Sequence, residues 1–349
     1  MATEFCDIDA MYMRRCLSLA ALGKGKTAPN PLVGAVIVNE HRIIGEGWHK
    51  AYGKPHAEVN AVASVEDKSL LSNSVMYVNL EPCCHWGKTP PCAEMIVKNK
   101  IPKVVIANKD ANPKVDGGGI SFLQKHGVEV VCGVLSEEAR HLNRRFFTFM
   151  EQKRPYVILK WAQTQDGFMD ADRIPPYKPQ WISNDILKVW VHKQRAEESA
   201  VLVGFRTLIN DNPQLNVRYW TGRNPIRISV IKGDIPQQPL HLFDTSQPTI
   251  IFSDRFNGMH DGVNYIGIDF SGDIAQQILT ALYNLNISSI VIEGGRRTLD
   301  MFIEHNLWNE AYVIVGNKSF SSGLPSPVIR KQCETKRFGD NLLMIYNNI

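Results

Sequence analysis

Two hydrophobic rhythms alternate along the chain. Short apolar runs of about five to seven residues are interspersed with stretches in which apolar positions return every three or four residues, the periods of buried strands and amphipathic helices. In the first half the pattern predicts a helix near Ile8 to Leu22 and strands near Leu32 to Val38 and Arg42 to Gly47, then a helix from about His56 to Ser64. VMYVNL (Val75 to Leu80) reads as a strand, CAEMIVKNK (Cys92 to Lys100) as a helix and KVVIA (Lys103 to Ala107) as a strand. A helix near Ile120 to Lys125, a strand over Val128 to Gly133 and one helix from Ser136 to Phe147 complete the series. Strands separated by helices imply a sheet covered on both faces.

EQKRP, Glu151 to Pro155, is polar and ends in a helix-incompatible proline, so the domain boundary is set there, giving domains 1–150 and 151–349. A second α/β series follows, with strands at Tyr156 to Trp161, Ser199 to Gly204, Ile226 to Ile231, Thr249 to Ser253, Ser289 to Gly295 and Glu310 to Val315. Its helices fall near Asn184 to Ala196, Asp273 to Leu285 and Thr298 to His305. No repeat links the halves, which favours two unrelated domains over a duplication.

Composition narrows the class. At 349 residues, with 44% hydrophobic and 21% charged residues, each half can bury its own core. A net charge of +4 suits small anions such as phosphates and does not demand nucleic acid. The N-terminal MATEFCDIDAMYMRR lacks the pattern of a signal peptide, and no apolar stretch approaches the roughly 18 residues that span a bilayer, so a cytoplasmic protein is expected. Seven cysteines are an odd number for a disulfide framework, which turns attention to those that cluster.

Three of them lie in EPCCHWGKTPPC, which leaves the strand VMYVNL. Cys83 sits at a strand exit and Cys92 at a helix start, where the dipole favours thiolate, and Pro90 and Pro91 stiffen the approach. His56 also opens a helix. One histidine and two cysteines are the three protein ligands of a catalytic zinc that keeps a fourth position for water. Cys84 and His85 leave open a closed structural site. Glu58, two residues beyond His56, is placed to take a proton from water and deliver it to a leaving group, the logic of the zinc base deaminases. Their cysteines are two residues apart, whereas eight residues separate Cys83 from Cys92 here.

With that longer loop, TAPNPLVGAVIV, GEGWH, HAEVNA, YVNLEPCCHWGKTPPC and NPKVDGGGI resemble, in order, the deaminase half of the bifunctional deaminase/reductases of riboflavin biosynthesis. The family's aspartate-proline-asparagine-proline is Asp110, Ala111, Asn112, Pro113 here. The resemblance implies an N-terminal cytidine-deaminase-like α/β/α sandwich, with His56, Cys83 and Cys92 on Zn2+, Glu58 catalytic, and Asn30 and His49 on the substrate. Read alone, Asn30 is a turn residue between prolines and His49 a surface loop residue. DGGGI (Asp116 to Ile120) lacks a wider glycine fingerprint and reads as a tight loop entering a helix, not as a phosphate site.

In the second half VIEGG (Val291 to Gly295) is the best local clue, a strand ending in paired glycines before a helix, equally an ordinary turn. LKWAQTQDG, QWISN, QRA, VGFRTLINDNPQLNVR and EGG resemble the family's dihydrofolate-reductase-like α/β half. The usual serine-leucine-aspartate-glycine is Thr164 to Gly167 here, and the usual double aspartate is Asp211, Asn212. The resemblance implies that Ala162, Trp181, Thr207, Asp211, Gly294 and Gly295 line NADPH, and that Lys160, Arg195, Arg218 and Glu293 face substrate. An arginine fork suits a ribose phosphate. Without the resemblance, Arg195 reads as a helix-end dipole contact and Trp181 as a partly buried core aromatic. The expected partner is a small phosphoribosylaminopyrimidine, with neither nucleic acid nor membrane, and a homo-oligomer is expected. Two rivals stay open: a nucleic-acid or nucleoside deaminase with an appended domain, which has no use for NADPH, and a zinc-stabilised binding module, which leaves Glu58 unexplained.

Overall fold

The structure, a computed structural model, describes residues 7–84, 91–112, 117–172 and 180–348. His85, Pro90, Pro113 and Asp116, named above, lie outside the described residues. The chain forms two compact units, Met1–Gln152 and Lys153–Ile349.

In the first unit the elements are α1 (Asp7–Ala21), β1 (Gly34–Asn39), β2 (Arg42–Trp48), α2 (Ala57–Ser64), β3 (Val75–Leu80), α3 (Cys92–Lys98), β4 (Lys103–Asn108), α4 (Gly118–Lys125), β5 (Glu129–Cys132), α5 (Ser136–Leu142) and α6 (Arg144–Gln152). The sheet order is β2-β1-β3-β4-β5. β1 is antiparallel to both neighbours, with Ala35 opposite Val78, while β3, β4 and β5 run parallel. One face packs Ala35, Ile37, Met76, Val78, Val104 and Ile106 against α2, α3 and α4; the other packs Val36, Tyr77 and Val105 against α1 and α5. Alternate side chains of each strand thus enter opposite cores, which is why these strands read as unbroken apolar runs. Gly47 lets α2 settle on β2, because a Cβ there would lie 2.3 Å from Ala61 N.

The single helix expected over Ser136 to Phe147 is two. It breaks at Asn143, whose backbone (φ −96°, ψ 18°) ends α5 and whose buried side chain bonds the main chain of Leu32. The apolar period runs on through the break, so Phe146 and Phe147 of α6 still pack against Leu80 and Val33.

The second unit contains β6 (Tyr156–Gln163), β7 (Phe168–Asp170), α7 (Asp185–Glu197), β8 (Ala200–Gly204), α8 (Phe205–Asp211), β9 (Ile226–Ile231), β10 (Thr249–Ser253), β11 (Gly258–His260), β12 (Val263–Gly267), α9 (Ile274–Asn284), β13 (Ser289–Ile292), α10 (Arg296–Glu304), β14 (Glu310–Val315), β15 (Leu324–Pro325), β16 (Cys333–Phe338) and β17 (Asn341–Asn347). The strand expected to run from Ser289 to Gly295 stops at Ile292, and the helix after it starts two residues early, at Arg296. Ten strands form one sheet in the order β11-β12-β10-β9-β8-β13-β6-β14-β17-β16. Its interior is parallel, and β11, β17 and β16 add antiparallel edges. α9 and α10 cover one face through Ile278, Leu279, Leu282, Leu299 and Phe302, while Leu187 and Val191 of α7 and Leu208 of α8 pack on the other. From β6 the chain steps over to β8 and winds outward through β9, β10 and β12. It then returns to insert β13 between β8 and β6, so the winding reverses beside β13, the kind of switch point at which open α/β sheets place ligands.

Candidate active sites

In the first unit the carboxyl end of β3 and the starts of α2 and α3 meet. His56 caps α2 with extended backbone and no side-chain capping bond, Cys83 follows β3, and Cys92 is the first residue of α3. Their donor atoms lie within 4.8 Å of one another. His56 Nδ1 is 3.6 Å from Cys83 Sγ and 3.4 Å from Cys92 Sγ. Tetrahedral zinc with its usual bonds to sulfur and nitrogen requires an N···S edge of about 3.6 Å, so the three donors fit that ion. The Cys92 N–H donates to Cys83 Sγ at 3.4 Å, and Ala93 N–H to Cys83 O at 3.1 Å, fixing the loop's return.

At these distances the three groups shift one another's protons. The hydrogen bond to Cys83 pushes His56 up to about 9 against burial, and Cys83 is pulled down to about 4 by the Cys92 thiol and then by His56, with burial opposing. Cys92 is held up by the same bond and by burial. A dication bound by these groups would displace the protons they share. Glu58 is buried on the first turn of α2 and hydrogen-bonded with Cys92; burial, then the Cys83 charge, raises it to about 7. A carboxyl whose pKa lies near neutrality can both take and give a proton there, and a dication between the thiols would pull it lower.

His49 is not a surface residue: it is 2% exposed, and its ring meets that of His56 edge-on at 5.6 Å. Pro55 O can only accept, so His49 Nδ1 donates to it at 3.2 Å and Nε2 accepts from Asn30 Nδ2 at 3.3 Å. Burial lowers the His49 pKa and keeps the ring neutral. Asn60 ties the same corner by donating to Trp48 O at 2.8 Å. The GEGWH and HAEVNA segments are thus one structure.

Glu81 was missed by the sequence reading. Buried beyond β3, it accepts from Asp110 N and Gly117 N at 3.1 Å each and from Ile120 N at 3.0 Å. A carboxylate already takes the amides of Gly117 and Ile120 at the entry to α4, so the glycine-rich segment is not an anion site; the tight loop expected there is shorter, because Gly118 and Gly119 already belong to the first turn of α4. The signal was available, since a glutamate in an apolar strand exit needs donors. Gly119 lies so near that a Cβ would be 2.0 Å from Pro82 O. Gly119→Ala is expected to destabilise this unit by about 1–3 kcal/mol, through backbone displacement. It should also loosen metal at the adjoining Cys83. Thermal melting with metal analysis checks this, and an unchanged melting temperature would contradict the packing.

In the second unit one cavity of about 1430 Å³ is lined by every expected residue: Lys160, Ala162, Trp181, Arg195, Thr207, Asp211, Arg218, Glu293, Gly294 and Gly295. It opens at the carboxyl ends of β6, β8 and β13, where the winding reverses. Arg206, inside the VGFRTLINDNPQLNVR motif, and Arg296 and Arg297, directly after EGG, were passed over in the sequence and also line it. Six cationic side chains face three carboxylates, a balance suited to phosphates.

Arg195 grips Glu293 with both arms of its fork, Nε to Oε1 and Nη2 to Oε2, each 2.7 Å, and its Nη1 donates to Asn216 O. The edge expected to meet a phosphate is therefore taken by Glu293, and Nη1 is held by the Asn216 carbonyl. Lys160 Nζ is 3.6 Å from Glu293 Oε2. Burial would raise Glu293, but Arg195 and Lys160 outweigh it and hold the carboxyl at about 2. His192 behind them is pushed down to about 4 by burial and by Arg195 and Arg218, and its Nδ1 accepts from Arg218 N at 3.0 Å. Trp181 is 56% exposed with Lys188 Nζ 4.6 Å above its ring, so it is not a core aromatic. The Gly294 carbonyl accepts from Gly204 N at 2.8 Å, binding the turn after β13 to the end of β8.

Each half of the chain matches a known family model. Residues 7–108 match the family model of the cytidine and deoxycytidylate deaminase zinc-binding region, and residues 155–322 that of the RibD C-terminal domain. The chain is 39% identical over 323 residues to the riboflavin biosynthesis protein RibD of Aquifex aeolicus, covering 91% of this chain and 89% of that one. It is 35% identical to the RibD of Actinobacillus pleuropneumoniae over 97% of this chain and 89% of the other. A crystal structure of a diaminohydroxyphosphoribosylaminopyrimidine deaminase/5-amino-6-(5-phosphoribosylamino)uracil reductase from Thermotoga maritima superposes with a TM-score of 0.87. It has 35% identity and covers 98% of this chain and 99% of its own.

Proposed function

The chain belongs to the family of the riboflavin biosynthesis protein RibD, and from that premise we propose how its two halves divide the work. It is a bifunctional enzyme, a cytidine-deaminase-like domain followed by a dihydrofolate-reductase-like one, with zinc and NADPH as cofactors. Residues 1–150 replace the exocyclic amine of 2,5-diamino-6-(5-phosphoribosylamino)pyrimidin-4(3H)-one by oxygen from water, releasing ammonia. Residues 151–349 then act on the ribosyl group after its bond from C1 to the ring oxygen opens to give an imine: hydride from NADPH goes to C1 and a proton from solvent to the nitrogen, giving the ribityl chain of 5-amino-6-(5-phosphoribitylamino)uracil.

In the first step His56, Cys83 and Cys92 would hold zinc, which when bound would supply a Lewis acid and make hydroxide available near neutral pH. Glu58 takes the water's proton and carries it to the departing nitrogen. Asn30 and His49 hold the polar edge of the pyrimidine. In the second, NADPH supplies the hydride, and Ala162, Trp181, Thr207, Asp211 and the Gly294–Gly295 turn hold it. Lys160, Arg195, Arg218 and Glu293 face the sugar phosphate and orient its C1. The observation that carries this reading is the triad of donors with a buried carboxylate beside it.

The test incubates the protein with that diaminopyrimidinone and follows ammonia and NADPH absorbance together. Ammonia first and NADPH loss after it are expected; no ammonia from zinc-loaded protein would refute the reading. Zinc at one ion per chain is expected by elemental analysis, falling below about one tenth in Cys92→Ser, which removes a ligand. Full retention of metal in that variant would displace the ion from these residues. Among the described residues no helix is long and apolar enough to cross a membrane. Thiol ligands suit a reducing cytoplasm, where we place the enzyme as a homo-oligomer; light scattering reads its assembly.

A further inference from the structure

Leu32 lies two residues beyond Asn30 in a segment between α1 and β1 that belongs to no helix or strand. Its peptide groups are nevertheless fully bonded, and both partners are buried asparagine side chains from distant parts of the chain. Leu32 N donates to Asn143 Oδ1 at 2.8 Å, and Leu32 O accepts from Asn143 Nδ2 at 2.9 Å and from Asn79 Nδ2 at 3.0 Å. Asn79 Oδ1 in turn accepts from Gly34 N at 2.7 Å. Next to this, Val33 O accepts from His49 N at 2.9 Å. The carboxamide of Asn143 therefore pairs with the Leu32 peptide as a strand would, and holds it where the side chain of Asn30 meets the ring of His49.

We propose that Asn143 is a positioning residue of the deaminase centre, clamping the Leu32 peptide so that Asn30 and His49 present a fixed face to the pyrimidine. The inference rests on the functional reading above, in which Asn30 and His49 touch substrate. Three physical points support it. The side chain's bonds to Leu32 use an acceptor and a donor on two separate atoms, Oδ1 and Nδ2, which an amide has and which neither a carboxylate nor the single oxygen of a hydroxyl reproduces. The helix bonds around Asn143, its own N–H to Ala139 O and its carbonyl from Phe147 N, are main-chain bonds and would form with any residue there. A role confined to breaking the helix gives the side chain no reason to reach a loop 111 residues away.

The test is a kinetic cycle on the full-length, zinc-loaded enzyme, with Asn143→Ala and Asn30→Ala singly and together. Asn143→Ala is expected to raise the deaminase KM about tenfold with kcat within about threefold, because it misplaces a contact and removes none of the reacting groups. In the Asn30→Ala background the same change should move KM less than about twofold, since the group it positions is already gone. An unchanged KM in folded Asn143→Ala, or effects that multiply independently, overturns the proposal. If Asn143→Ala does not fold, Asn143→Asp carries the test. It keeps an acceptor for Leu32 N and turns an acceptor toward Leu32 O, and the same rise in KM is expected; none would overturn the clamp. Should the unaltered enzyme release no ammonia, the functional reading fails by itself. The 15N resonance of His49 Nε2 then still decides the clamp, which predicts a shift in Asn143→Ala and is overturned by none.

Discussion

Glu58→Gln should all but abolish ammonia release while leaving the second reaction intact. The replacement preserves shape and the amide can still bond Cys92, but it cannot accept the water's proton or give one to the leaving amine. A single general acid–base group is worth about 10²–10⁴ in rate, and here one carboxyl serves both transfers, so a fall of at least about 10³ is expected in kcat. Three controls isolate the chemistry. Zinc content should stay at one per chain, because Glu58 is adjacent to the donor triad and not part of it. The melting temperature should hold within about 2 °C, because the amide keeps the shape of the buried carboxyl and its bond with Cys92. NADPH oxidation with separately supplied deaminated intermediate should continue at the unaltered rate, since the reductase candidates lie in the other compact unit. Persistent ammonia release in the zinc-loaded variant would remove Glu58 from the mechanism; joint loss of both activities would point to misfolding instead.

What the sequence made legible has a physical pattern. Strands buried on both faces announce themselves as apolar runs, and VMYVNL, IRISVI, TIIFS and EAYVIV carry the very bounds read from them. The zinc donors were legible because a histidine opening a helix and cysteines flanking a proline-stiffened loop are rare combinations. Elements that bury little were lost. β16, CETKRF, is an edge strand with mostly exposed polar residues, so it shows no apolar alternation, and its pairing with β17 depends on the turn between them. α8, only seven residues long, buries Leu208 and little else. Long-range polar partners were lost too. Asn143 is part of an unbroken helical period, and nothing local reveals that its side chain belongs to Leu32. Asn79 was detectable in principle, since an amide inside VMYVNL is a buried polar group in need of partners.

The largest effect in the second unit is expected from Glu293→Gln. Glu293 is 6% exposed at its side chain and carries both Arg195 and Lys160. Its carboxyl sits at about 2 against an ordinary 4.5, which corresponds to about 3 kcal/mol of folded-state stabilisation, partly offset by burying Lys160, whose pKa burial lowers. Removing one partner of a buried pair costs a similar 3–5 kcal/mol or so, because the remaining cations stay buried and uncompensated. For a unit of this size that is a fall of about 10 °C in melting temperature. The sign in pH follows. A carboxyl depressed on folding stabilises above its unfolded pKa and loses that contribution as pH falls through its folded value, so the unaltered protein should weaken between about pH 5 and 2, and Glu293→Gln should lose that part of its acid sensitivity. Reduction of supplied intermediate should fall at least about tenfold as Arg195 and Lys160 lose their anchor, with ammonia release unaffected. Adding Arg195→Gln to Glu293→Gln should restore part of the lost melting temperature, because the bidentate cation is no longer stranded. Thermal melts across pH on the unaltered protein and the two variants measure the stability changes, and assays of NADPH oxidation and ammonia release measure the activities. A Glu293→Gln enzyme that melts within about 2 °C of the unaltered one, or a double variant less stable than the single, would mean that the ion pair is not what holds this end of the cavity together.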